Sequence, residues 1–537
     1  MVSASFFFMA LSGCNGSPPG TEIDGTEDSG VPSSPLLAAA SITVPESPNV
    51  RLVKILELTT TEPVTVMVHL SDSAGVTRDL PFGSLDTQHA LPLLGLRLEE
   101  SYVVGVTLTS EGGEGVRVDE VATFTTDPPD NVWPKLEVAT ALPGEMEPGY
   151  TLFGVNAFSS QVGEYLFVMD PEGHVVWYYV ADGDVLDARI NAAGNLLCLF
   201  GADFVELDFL GNELGRWNAN GANGGTVVGV TSFHHEANEL PNGNLLGLVD
   251  RTELHESYPA SYNDPTITES AAVLSHDVVE FDRSGNIVRD LPLWDVLDQD
   301  RIGYDGLTDD PRDWVHSNAV TFDPSDPDRL LVSLRHQDAI ISLDRTTGAL
   351  RWILGTHANW APEFDQYLLD PLPGTEWSYH THGPSYTSEG RIVVFDNGNY
   401  RVSPFDGQPV PDEADQYSRL VEYAVDETDM SVEQTWEFRG PNGDALFSFA
   451  TGSAVFLPQK RTVLGMFGFL NYVNGVANTD VGRGVSAARL IEVNKDTDKV
   501  VLDVTFYSDA GDHRPGWHGF RAVRIPSLYM GTTAAGL

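Results

Sequence analysis

From about Tyr150 onward the chain repeats one pattern: a strand leading to a turn and an apolar strand, then a second apolar strand, an Asp/Gly turn and a closing strand. The openings read A-R-I-N-A-A-G-N-L-L-C-L-F from Ala188, H-E-A-N-E-L-P-N-G-N-L-L-G-L from His235 and H-S-N-A-V-T-F-D-P…R-L-L-V-S-L from His316. Two more follow, H-G-P-S-Y-T-S-E-G-R-I-V-V-F from His382 and G-S-A-V-F-L-P-Q-K-R-T-V-L-G-M from Gly452. A first partial copy, Y-L-F-V-M-D-P-E-G-H-V-V-W-Y-Y-V, lacks its opening strand, and H-G-F-R-A-V-R-I-P-S-L-Y from His518 supplies one. Six units of four short strands predict an all-β fold, a six-bladed β-propeller whose first blade is closed by both termini. WD40 dipeptides and the kelch pattern are absent. The consequence for function is geometric. Innermost strands converge on one axis, so residues that begin them meet at one mouth despite long separations in sequence.

Upstream, alternation dominates from Ala40 to about Asp127, in runs such as V-R-L-V-K-I-L-E-L-T and V-T-V-M-V-H-L-S-D. Roughly seven strands in this span predict a small β-sandwich of immunoglobulin or fibronectin type III kind over 41–128, leaving 129–537 to the propeller. Its histidines, His69 and His89, read as structural. Residues 15–40, rich in Ser, Pro, Gly and acid, read as a flexible tether. The start, M-V-S-A-S-F-F-F-M-A-L-S-G-C, resembles a bacterial lipoprotein signal over 1–14, with Cys14 as the lipidated residue. Its short apolar run and missing basic segment point to a true start further upstream. The expectation is an exported lipoprotein, periplasmic or at the cell surface, the outer membrane included, anchored by one acylated end. No later stretch is long and apolar enough to span a bilayer. Cys198, in N-L-L-C-L-F, reads as a buried small hydrophobe, and two cysteines support neither a disulfide framework nor a four-Cys zinc site.

The charge decides which partners to consider. With 30 basic and 78 acidic residues the chain carries −48 and shows no basic stripe, which argues against nucleic acid. An anionic substrate is repelled at long range, so a site for one needs its own arginine and histidine. Trp314 to Arg401 offers them: D-W-V-H-S-N-A-V around His316, S-L-R-H-Q around Arg335 and Y-H-T-H-G-P-S-Y around His382. His235 stands 13 residues before Leu248 and His382 stands 13 before Phe395, each pair spanning a Gly turn. That match places His235 in the pocket, and strand alternation then turns His234 to the opposite face as packing. His380 shares a face with His382 but in the wrong register, and His276 and His336 read as structural. Three histidines also suggest zinc, yet no H-x-x-x-H helix is present.

The motifs H-H-E…L-P-N-G-N-L-L (His234 to Leu246), D-W-V-H-S-N-A-V (Asp313 to Val320), S-L-R-H-Q (Ser333 to Gln337), R-W-I-L-G-T-H-A-N-W (Arg351 to Trp360) and H-x-x-x-x-x-x-x-G-R-I-V-V-F-D-N-G-N (from His382), in that order, resemble the bacterial arylsulfate sulfotransferases, the ASST family. The resemblance covers most of 150–537 and implies transfer of a sulfuryl group from an aryl sulfate donor to a phenolic acceptor without the nucleotide donor PAPS. It implies that His382 is transiently sulfated, that His235 and His316 flank it, that Arg335 binds the sulfuryl oxygens and that Asn318 is a polar, substrate-binding residue. It implies no cofactor and no metal in the chemistry, and it leaves monomer and homodimer open. Chemistry alone agrees with these roles. A neutral imidazole is a good nucleophile near pH 7, and covalent capture splits one transfer into two easier steps. Trp314, Trp360, Trp377, Tyr379 and Tyr400 are candidates for an aryl slot, against the plainer expectation of blade packing. The chain departs from the family in lacking a propeller cysteine pair and in placing Thr381, often Gln, before His382. A non-catalytic cell-surface propeller that binds a ligand is the alternative reading, with a sulfatase third.

Overall fold

The computed structural model describes residues 34–530 apart from 114, 131, 158–162, 265, 444–445, 481–482 and 509–515. The signal-like segment with Cys14, and the expected tether up to residue 33, lie outside the described residues. Among the described residues strands carry nearly all regular structure and the helices are short 3-10 turns. No described helix is long and apolar enough to cross a membrane. The described residues pack as two units, 34–45 with 53–128, and 46–52 with 129–530.

The first unit forms one hydrogen-bonded sheet of five strands. Five replace the roughly seven expected because two alternating runs are continuous within Lys54–Ser71, an 18-residue strand whose register shifts between Thr59 and Val64. Its first half pairs with Leu37–Thr43 and its second with Ser101–Ser110. Leu37–Thr43 begins inside the span read as tether, so that boundary moves toward the N-terminus. Alternation buries Leu56, Leu58, Val64, Val66, Val68 and Leu70. His69 bonds Asp79 at 2.7 Å and Thr107 at 2.8 Å, which is structural work.

Among its described residues the second unit distributes its strands over six sheets, each built on an antiparallel four-stranded meander. The last strand among the described residues, Ala522–Ile525, pairs with Tyr150–Phe153 and so completes the sheet that the partial first copy leaves open. Five further sheets open with Val185–Ile190, Phe233–Glu239, Ser317–Asp323, His382–Tyr386 and Ser453–Leu457. Each of these opening strands lies against the next, and Ala522–Ile525 touches both Ser453–Leu457 and Val185–Ile190. The arrangement is propeller-like and all-β. Two edge strands were not legible in the repeat: Val50–Arg51 adds to Tyr178–Tyr179, and Lys135–Ala141 adds to Val500–Tyr507.

Face-to-face packing of sheets explains why these strands are apolar on both sides. Leu331, Ile340 and Trp352 of one sheet form a core with Ile392, Val394 and Val421 of the next. Phe204 meets Phe233 and Phe281 edge-on at 4.8 and 5.3 Å in another such layer. Cys198 is buried as a free thiol. Layers of this kind fix where each opening strand begins, and so where its first side chains point.

Candidate active site

In an antiparallel hairpin the start of one strand lies beside the end of its partner. The candidate residues occupy such positions. His316 precedes Ser317–Asp323 and Arg335 follows Asp326–Leu334; His382 opens its strand and Asn397 follows Ile392–Asp396. The result is a band of imidazoles. Ring centroids separate His234 and His276 by 4.5 Å, His276 and His316 by 5.5 Å, and His235 and His316 by 5.3 Å. His316 and His336 are 4.6 Å apart, and His336 and His380 6.0 Å. Arg335 donates to His336 Nε2 at 2.7 Å. The Arg335 guanidinium lies close enough to His382 to depress its basicity, and Asn318, two residues after His316, donates to the carbonyl of Thr381 beside His382. His235, His316, Arg335 and His382 therefore share one neighbourhood.

The backbone there breaks the strand rules. His235, His316 and His380 have φ of 59°, 43° and 53°, left-handed values that cost a non-glycine residue about 1–3 kcal/mol each and cluster at functional sites. The ladder bulges beside them, between His234 and Ala237, Ser317 and Ala319, and His382 and Ser385. Alternation therefore fails at His234. Its Nδ1 lies 2.8 Å from His235 Nδ1, and both rings face the band. The ladder pairs His234 with Leu248 and His382 with Phe395, so His234 is the ladder counterpart of His382 and His235 is the bulged residue. His276 and His336, read as structural, both belong to the band.

Each imidazole has a distinct setting. His382 Nδ1–H donates to Asn397 Oδ1 at 2.6 Å. The Asn397 amide nitrogen is committed to the carbonyls of Ser448 and Thr451, which fixes its oxygen as the acceptor. His382 Nε2 therefore keeps its lone pair. Burial first, then Arg335, holds His382 neutral well below the usual histidine range. His316 Nδ1–H donates to Asp313 Oδ2 at 2.5 Å. Burial opposes the Asp313 charge, but His316, His336 and His276 hold its carboxyl well below the usual range. His336 accepts from Arg335 and donates Nδ1–H to the Asp313 carbonyl at 2.7 Å, and burial pushes it down to about 3. His380 is fully buried against Asp338, at 2.7 Å, and near Asp305, at 3.5 Å. Burial works against its charge, yet these carboxylates raise its pKa, which makes it a locked ion pair. Asn318 donates to the Thr381 carbonyl at 2.7 Å, bracing the residue before His382.

Of the five aromatics considered for an aryl slot, Tyr400 borders the band, 5.2 Å from His380 and donating to Asp305 at 2.6 Å. Trp314 is stacked on Trp294 at 4.2 Å and Trp360 lies under Arg301, both as packing. Trp377 sits beside His357, and Tyr379 is held through its backbone N–H by Asp396. Phe520 was not singled out in the sequence, yet its ring lies 6.1 Å from His235. Arg521 follows it and pairs with Glu236. Asp313 and Asn397 stood inside the quoted motifs D-W-V-H and D-N-G-N, where a carboxylate and an amide near a histidine were the available signal.

Two expected results follow from this packing. Gly303 presses on the turn that bears Arg335, and an added Cβ would stand 1.6 Å from the His336 carbonyl oxygen. Gly303→Ala should therefore cost about 1–3 kcal/mol in thermal unfolding, with a disproportionate loss of whatever Arg335 does. The second concerns acid. His336, His382 and His518 are buried with lowered pKa values, His336 at about 3 and His518 at about 4. Between these values and about 6.5 the unfolded chain binds more protons than the folded one, so stability is full above pH 6.5 and falls as pH drops. Each such group contributes about 1.4 kcal/mol per pH unit in that window, and denaturant midpoints from pH 7 to 4 should show the decline.

The sequence profile of the arylsulfotransferase (ASST) family matches residues 138–517. An arylsulfate sulfotransferase AssT of Lelliottia amnigena is 23% identical over 93% of this chain and 94% of its own. The AssT of Escherichia coli O6:H1 is 23% identical over 70% of this chain and 67% of its own. A solved protein of unknown function from Bacteroides caccae aligns at TM-score 0.31 and 12% identity, over 70% of this chain and 94% of that one. With the family profile spanning most of its length, this chain belongs to the arylsulfotransferase family.

Proposed function

We propose that the protein is a PAPS-independent aryl sulfate sulfotransferase that works through a sulfohistidine at His382, on a six-bladed β-propeller spanning about 129–537. One observation carries the reading. His382 has its Nδ1–H tied to Asn397, its Nε2 lone pair free, and the Arg335 charge beside it. The Nε2 pair attacks sulfur, the S–O(aryl) bond breaks with its electrons passing to the phenolate oxygen, and the phenol leaves. Arg335 meets the charge on the three sulfuryl oxygens, in a field otherwise hostile to anions. His316, oriented by Asp313, gives the leaving oxygen its proton and later takes one from the acceptor phenol, whose oxygen attacks the N–SO3 group and frees His382. Asn397 accepts from Nδ1–H throughout and so stabilises the charged ring while the group is attached. The family resemblance and the two AssT relatives support the reaction class. Asn318 fits a positioning role, since its amide is spent on the backbone before His382. The same reading places the enzyme outside the cytoplasm, anchored through Cys14.

The test uses p-nitrophenyl sulfate with and without phenol. Sustained nitrophenolate release that requires phenol, with phenyl sulfate as product, is the expected result. Release with inorganic sulfate and no acceptor requirement would indicate a sulfatase, and no release with retained binding would indicate a ligand-binding propeller.

A further inference from the structure

Asp250 and His276 face each other across one ladder, and His234 pairs two residues before Asp250 on the neighbouring strand, so three adjacent strands present three ligand-type side chains. Asp250 Oδ1 lies 3.5 Å from His234 Nε2 and 3.4 Å from His276 Nε2. Those separations are poor for hydrogen bonds, and His234 Nε2 is buried without a hydrogen-bond partner. They suit a cation: two ligands held about 2.0–2.1 Å from one tetrahedral zinc stand roughly 3.3–3.5 Å apart. The unused nitrogens also fit. His276 Nδ1, likewise buried and without a hydrogen-bond partner, faces Asp313 Oδ1 at 3.5 Å, the carboxylate that a metal-bound imidazole ordinarily addresses with its second N–H. His234 Nδ1 faces His235 Nδ1 at 2.8 Å.

We infer that His234, Asp250 and His276 form a binding site for a first-row divalent cation of the zinc class, next to the sulfuryl pocket and separate from His382. Two imidazoles and a carboxylate are a donor set for such ions, with a fourth position left for water. The side chain of Asp250 is 37% exposed, which gives the ion an entry path. With its Nε2 on the cation, His234 keeps a proton on Nδ1 and donates it to His235 Nδ1. His235 then carries its own proton on Nε2, a donor. The cation thereby sets the tautomer of a residue in the proposed reaction centre while taking no part in bond making. Sites built on adjacent strands are rigid, which favours a fixed geometry over adventitious uptake.

The binding test is independent of sulfuryl transfer. Full-length protein is stripped with a chelator, dialysed and titrated with zinc chloride by calorimetry, with metal content read by mass spectrometry. One equivalent per chain is expected, with a rise in melting temperature. Asp250→Asn, isosteric and partly exposed, should fold as the parent does and weaken binding by at least about tenfold. His276→Gln should do the same. Absence of stoichiometric uptake would overturn the site, and so would unchanged affinity in folded Asp250→Asn. Loss of binding in Asp313→Asn with full retention in Asp250→Asn would move the ion to the other side of His276 and overturn it equally.

Discussion

Replacing His382 with Asn lowers the rate of phenol-dependent transfer by at least about 10³-fold, the scale of losses measured when a nucleophile is removed from an intact site. The reason is specific to the geometry. An Asn side chain fits the same pocket, but its amide nitrogen has its electron pair delocalised into the carbonyl and does not attack sulfur, so the N–S bond does not form. The rest of the centre persists: Asn397 keeps its bonds to Ser448 and Thr451, and Asn318 still braces Thr381. Melting temperature should therefore change little while turnover falls. Single-turnover release of nitrophenolate in the absence of phenol separates the steps, since the first half-reaction is the one lost. Undiminished release by the variant would mean that another side chain or water, and not His382, takes the sulfuryl group from the donor.

Arg335→Lys is the second large effect, about 10²–10³-fold in kcat, equivalent to about 2.7–4 kcal/mol of transition-state stabilisation. Arginine serves two tasks at once. Its Nη1 donates to His336 and reaches toward Asp305 at 3.4 Å, leaving its other N–H groups for sulfuryl oxygens. A lysine ammonium is a single point of charge and cannot span both. Steady-state kinetics with p-nitrophenyl sulfate should show kcat falling with KM changed far less, because charge on the oxygens matters most as the sulfuryl group moves. An equal rise in KM with kcat untouched would make Arg335 a residue for ground-state binding.

The repeat was legible because each opening strand brings its own turn chemistry, such as the Gly243 and Gly390 turns after His235 and His382. The grouping of His316, Arg335 and His382 was suggested by their places at strand ends together with the order of the family motifs. What the sequence hid was conformational. Nothing in H-H-E announces a left-handed residue, yet φ of 59° at His235 turns His234 into the band when alternation would turn it out. His276 lies on the third strand of its sheet, away from any strand start, and it reaches the band because Asp250 and His276 are ladder partners. Edge strands were equally hidden. Val50–Arg51 is two residues long, and only its pairing with Tyr178 and Tyr179 identifies it. Arg521 became visible as a neighbour of His382 once the last strand was seen to close the first sheet.

Intact-mass spectrometry of the full-length protein tests the central claim most directly, taken seconds after mixing with excess p-nitrophenyl sulfate, without acceptor, and quenched in alkali to preserve an N–S bond. The predicted result is a gain of one sulfuryl unit, mapped to the peptide containing His382 and discharged on adding phenol. A protein that transfers sulfuryl groups with no such gain, or with the group on another residue, would contradict the account.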